Sequence, residues 1–125
     1  MKKKQPFHNE RPYYFRYRFC IHFPILDNNG KLIPRSKVKR AFDEIKNEFR
    51  GYTSTSHIGF PTWFGFWRAP NKKEYMDFIY VIFVDVKQEK VESALDFFEK
   101  FRKKYIKIFN QSEVYIIYHE VTKVE

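Results

Sequence analysis

The segment from Tyr13 to Phe23 alternates with period two. Phe15, Tyr17, Phe19, Ile21 and Phe23 fall on one side, and Arg16, Arg18, Cys20 and His22 on the other. That alternation predicts a strand with one buried face. Pro24 closes it, because proline has no N–H to give to a ladder. Asp27-Asn28-Asn29-Gly30 is turn chemistry, since Asn and Gly tolerate positive φ. Val38, Ala41, Phe42, Ile45 and Phe49 then recur at helical spacing. This predicts an amphipathic helix over 36–49, with Ser36 as N-cap and Gly51 as the residue that ends it.

The stretch from Gly51 to Val86 is the one around which the rest is arranged. Residues 52–56 are polar and β-branched, and fit a short strand or a loop. Gly59 and Pro61 interrupt the pattern. Thr62–Arg68 reads as a ring-rich strand, 69–73 as a turn, and Glu74–Val86 as the second limb of a hairpin. Both faces of that limb are apolar in its middle, which predicts a central strand at least partly covered on both sides. From 88 to 109, Val91, Ala94, Leu95, Phe98, Phe101, Tyr105 and Ile108 form one helical stripe. Acidic residues come early and basic ones late, as the helix dipole favours. Residues 113–124 alternate again as a last strand.

Strand, helix, strand, strand, helix, strand is the order of the ferredoxin-like split βαβ arrangement, βαββαβ. With right-handed crossovers it gives an α+β domain: a four-stranded antiparallel sheet with both helices on one face. The first strand is then central, and its Arg16/Arg18 side looks away from the helices. Residues 1–12 are expected to be a flexible basic tail, and 13–125 one domain. Phe42, Ile45, Leu95 and Phe98 are expected to be almost fully buried.

Composition narrows the class. The 125 residues are 21% aromatic, with 15 Phe and 9 Tyr, far too apolar for a disordered chain. The single cysteine, Cys20, excludes an intramolecular disulfide and a multi-cysteine zinc site. MKKKQPFHNERP lacks the apolar core of a secretory signal, and no run approaches the ~20 apolar residues of a membrane helix. The expectation is a cytoplasmic protein with no membrane partner. The net charge of +9 favours a polyanionic partner, RNA or DNA. A lysine-rich composition also raises the charge without any partner.

Candidate chemistry follows from these positions. Arg16 and Arg18 on one strand face could grip phosphate, or could pair with acids on neighbouring strands, such as Glu120 or Asp85. Trp63, Trp67 and Arg68 in Trp63-Phe64-Gly65-Phe66-Trp67-Arg68 offer stacking surfaces and a cation for bases; the tryptophans also suit a core or a dimer interface. The Gly-Phe step among rings resembles the signature strands of RNA-recognition-motif domains. That family's longer signature belongs on the third strand, and 77–83 has no basic-Gly pair at its start, so no residue role is carried over. His57, in a Ser/Thr-rich loop, could act as an acid or base alongside Glu74 or Asp77, and these three mark a ligand pocket and an alternative function as a small-ligand protein or enzyme. His22 and His119 could approach across first and last strands, near Cys20 and Glu120. No histidine pair stands at i, i+4, and there is no Walker, Rossmann or nucleophile-elbow motif, so no metal and no cofactor is expected. Apolar residues on the helix-free face also predict a twofold homodimer, through that face or the ring-rich hairpin.

Overall fold

β1 (Phe15–Pro24) runs through the middle of one antiparallel sheet. On one side it pairs with β4 (Glu74–Lys87), on the other with β5 (Tyr115–Thr122). β2 (Thr53–Ser54) and β3 (Trp63–Arg68) both pair with the far side of β4, at different levels. The order β2-β4-β1-β5, with β3 beside β4, is a four-stranded α+β sheet whose outer strand comes in two pieces, as a ferredoxin-like arrangement predicts. The structure, a computed structural model, describes residues 15–54, 63–68 and 70–122, with side chains at all of these except 15, 63–67 and 74–78.

The register explains which side of the sheet is buried. Phe19 lies between Val84 and Tyr118, Ile21 between Ile82 and Ile116, and Phe23 opposite Tyr80. Phe19, Ile21, Phe23, Tyr80, Ile82 and Val84 form the core together with α1 (Arg35–Phe49) and α2 (Val91–Ile108), Ile116 packs against it, and Tyr118 is left exposed at its edge. Rings carry most of the contact. Phe98 of α2 stacks on Phe19 with centroids 4.9 Å apart, and Phe42 of α1 meets Phe23 at 5.1 Å. Both helices therefore cover the same face, as expected. Phe42, Ile45 and Phe98 are buried. Leu95 is only half-buried, because α2 does not reach over the outer strand β5 and leaves a recess there.

Element ends differ from the sequence reading in two places. α1 starts at Arg35, so Ser36 sits inside its first turn and caps nothing. Pro34 precedes it with φ −56°, a value its ring presets, and this starts the turn one residue early. The left-handed residue that closes α1 is Arg50, at φ 67°, rather than Gly51. A 3-10 turn at Gln88–Lys90 leads into α2. The loop after β1 is held by Asp27, whose Oδ1 accepts from the backbone N–H of Asn29 and Lys31 at 2.8 and 2.9 Å. Gln111 reaches across to donate to the Leu26 carbonyl, which ties this loop to the turn between α2 and β5.

Polar contacts join the helices at Glu44, and Lys37 of α1 also donates to the Ile108 carbonyl of α2 at 3.1 Å. Tyr105 of α2 donates to Glu44 of α1 at 2.5 Å, and Lys104 lies 2.7 Å from the same carboxylate. Burial raises the Tyr105 phenol well above its ordinary pKa, and the hydrogen bond to Glu44 raises it further. Burial opposes ionisation of Glu44, but Lys104, Tyr105 and Arg40 outweigh it and hold the carboxyl below its usual range. The stability that this site supplies is therefore present above the ordinary glutamate pKa of about 4.3 and is lost as pH falls through the lower folded value. Tyr105→Phe is expected to cost about 1.5–3 kcal/mol, because one hydrogen bond to a charged acceptor disappears. Glu44→Gln is expected to remove part of the loss of stability in acid. Urea melts of the three proteins across the acid range measure both.

Candidate functional site

The helix-free face of the sheet is built by β1 residues of even number and the positions that pair with them. Four rows run across three strands. Arg16 stands between Lys87 and Val121, Arg18 between Asp85 and His119, Cys20 between Phe83 and Ile117, and His22 between Val81 and Tyr115. Period two in each strand brings these side chains to one side. The face is thus graded, basic at the Arg16 end and apolar with rings at the His22 end.

Arg18 is engaged. Its Nε and Nη2 donate to the two carboxylate oxygens of Asp85 at 2.8 and 3.0 Å, the parallel geometry that suits a guanidinium. The hydrogen bond from Arg18 to Asp85 raises the arginine pKa further, so it is always charged. The guanidinium also lies 5.7 Å from the centroid of Phe83. Of the two acids that the sequence offered, only Asp85 is on this side. Glu120 pairs with Tyr17 and shares the helix side with Tyr118, one residue out of phase with the arginines.

Arg16 is different. It is half-buried, and its Nε is shielded from water with no hydrogen-bond partner among the described residues. Lys87 stands beside it, exposed and in no ion pair among the described residues. Arg16, Arg18, Asp85, Val121 and Thr122 line a recess of about 320 Å3 at this end. A buried N–H donor with nothing to donate to is costly.

The apolar end is partly closed already. Val81 is fully buried and Cys20 nearly so, while Tyr115 is exposed. Burial lowers the His22 pKa and raises that of the Cys20 thiol, so both are neutral near pH 7. The His22 ring meets Tyr115 edge-on at 5.2 Å. His22 and His119 stand in different rows, two apart, so the approach considered from the sequence does not occur. Among the described residues, no group of three or more His, Cys, Asp or Glu side chains is placed to hold a metal ion.

The other sequence candidates lie elsewhere. In the β3–β4 ladder Trp63 pairs with Ile79, Trp67 with Tyr75 and Arg68 with Glu74, while Gly65 pairs with Asp77. That places Trp63, Trp67, Arg68, Glu74 and Asp77 on the hairpin, most of the length of β4 away from Lys87. Arg68 is exposed; the side chains of the other four lie outside the described residues, and so does His57. A second recess, of about 500 Å3, lies beside Gly51, Tyr52 and Thr53 at the β2 edge, with Phe83 and the Arg18–Asp85 pair in its wall. Lys87 was not singled out by sequence reasoning. The alternation in β4 and β5 was visible, but only the register shows that Lys87 stands next to Arg16.

No family model, no curated protein and no solved structure matches this chain. No helix among the described residues is long and apolar enough to cross a membrane.

Proposed function

We propose that this chain is a cytoplasmic module that binds single-stranded nucleic acid on the helix-free face of its sheet. The observation that carries the reading is the Arg16–Lys87 pair: two cations side by side across β1 and β4, of which Arg16 lines a recess and has an Nε with no hydrogen-bond partner among the described residues. Phosphate in the recess would meet the Arg16 guanidinium, which lines it, and Lys87 adds a second charge. Arg18, fixed by Asp85, shapes the recess. Towards the other end Tyr115 and Ile117 present exposed apolar surface on which bases would stack, a contact that tolerates any sequence. The net charge of +9 draws a polyanion to the protein at a distance. Trp63, Trp67 and Arg68 on the hairpin extend the reading to a longer strand, which would follow β4 towards β3.

The test is a salt titration of binding to a labelled single-stranded oligonucleotide, followed by fluorescence anisotropy. Each phosphate contact contributes a slope of about −0.7 in log affinity against log salt for a single strand. A slope of at least about −1.4 is expected from Arg16 and Lys87 alone. Binding that does not change with salt, or no binding at low salt, rules the reading out. The alternative, a small-ligand protein or enzyme, is favoured by the recess beside Gly51–Thr53, and would show as saturable binding of a small anion that leaves the oligonucleotide unbound.

A further inference from the structure

Five large apolar side chains are exposed among the described residues, and three of them, Tyr115 (52%), Ile117 (41%) and Tyr118 (47%), belong to β5. They do not share a face. Tyr115 and Ile117 lie on the helix-free side and Tyr118 on the helix side, where it stacks on Phe19 at 5.0 Å. An edge strand that is apolar on both sides is a template for another strand, and a soluble chain ordinarily blunts such an edge with charge. Nothing among the described residues pairs with the outer side of β5.

The neighbouring helix indicates what the edge accepts. Between α2 and β5 runs an open recess of about 440 Å3, with Leu95, Ile116 and Tyr118 in its floor and Glu92, Glu99 and Arg102 on its rim. Lys103 continues the rim, one turn beyond Glu99 on the same stripe. The rim is acidic in the first half of the helix and basic in the second. Phe98 stacks on Phe19, and Phe19 on Tyr118, so the middle of α2 stands level with the middle of β5.

We infer that a second copy of this chain pairs here, β5 against β5 in antiparallel fashion, to make one continuous sheet across a twofold axis. The axis passes near Tyr118. It sets the two α2 helices side by side and antiparallel, with Glu92 of each opposite Lys103 of the other, while Arg102 stays on Glu113 of its own chain at 2.9 Å. The charge pattern along one helix is thus complementary to itself under the operation that the strand pairing requires. The two recesses meet across the axis, where Tyr118 of each copy faces its equivalent and Ile116 faces Glu120 of the other. On the other side of the sheet Ile117 faces His119 of the other copy and Tyr115 faces Val121, with these side chains still on the helix-free surface. This interface is neither the open sheet face nor the hairpin, and it leaves both Arg16–Lys87 pairs free on one continuous surface.

Sedimentation equilibrium of the full chain without nucleic acid tests the inference apart from any binding activity. At micromolar concentration the mass is expected to be twice the 15.5 kDa of the chain. Ile117→Lys is expected to give the single-chain mass with an unchanged circular dichroism spectrum, because a charge on this edge strand blunts the pairing. Glu92→Lys turns two symmetric attractions into repulsions and is expected to raise the dimer dissociation constant about tenfold. Glu92→Lys with Lys103→Glu in the same chain restores complementarity and returns the constant towards that of the wild type. A wild-type chain that stays single at all micromolar concentrations overturns the inference, and so does a dimer that Ile117→Lys leaves intact. If Ile117→Lys does not fold, the charge exchange decides: a double variant no tighter than Glu92→Lys overturns it too.

Discussion

Phe98→Ala is expected to remove about 3–5 kcal/mol of stability. Phe98 is 3% exposed and its ring stacks on Phe19 at 4.9 Å and Phe49 at 5.2 Å, with Phe97 at 5.1 Å and Phe101 at 6.0 Å. It joins β1, α1 and α2 at once, so truncation leaves a cavity that no single element can close by moving. Ring pairs add about 0.5–1.5 kcal/mol beyond the area they bury. A domain of this size has only about 5–15 kcal/mol in total, so the variant should melt on the order of 10–20 °C lower. Leu95→Ala, three residues away, is the comparison. Leu95 is half-buried over the open recess, and its loss should cost less than about 2 kcal/mol. Urea denaturation of the two variants measures the contrast. Equal losses would mean that α2 is rotated from the position described.

Arg16→Ala with Lys87→Ala is expected to lower the affinity for a single-stranded oligonucleotide tenfold or more at low salt, and to flatten the salt slope by about 1.4, the equivalent of two phosphates. Its stability should hardly change, since neither residue makes an ion pair among the described residues. Asp85→Asn is expected to act in the opposite direction. Asp85 binds Arg18 in both carboxylate oxygens, and removing its charge releases a third cation to the recess while losing an exposed ion pair worth at most about 1 kcal/mol. Anisotropy titrations of both variants against the wild type read the two signs. If the double variant binds as the wild type does while the wild-type slope remains steep, the contact surface lies elsewhere, and the hairpin with Arg68 is the next place to substitute.

Much of the fold was legible because it depends on local periodicity. Alternation from 15 to 23 separated Phe19, Ile21 and Phe23 from Arg16, Arg18, Cys20 and His22, and the structure keeps that division. The stripes of α1 and α2 likewise named Phe42, Ile45 and Phe98 as core. Even the burial of Val81, on the side of β4 away from the helices, follows the apolar run on both faces of that strand.

What local pattern could not supply was register. Whether Arg18 meets Asp85 or Glu120 depends on which residues of three strands align, and a slip of one position sends every side chain to the other face. Register is set by long-range packing: Phe19 must fall between Val84 and Tyr118 for the core rings to stack. Once that is decided, Asp85 is beside Arg18, Glu120 is on the wrong side, and His22 and His119 are two rows apart. Lys87, one more charge at the end of a strand when read along the chain, becomes the neighbour of Arg16 for the same reason. The exposure of β5 is tertiary too. Its alternation looks like that of β1, and only the order of strands, with β1 inside and β5 outside, makes one of them core and the other an open edge.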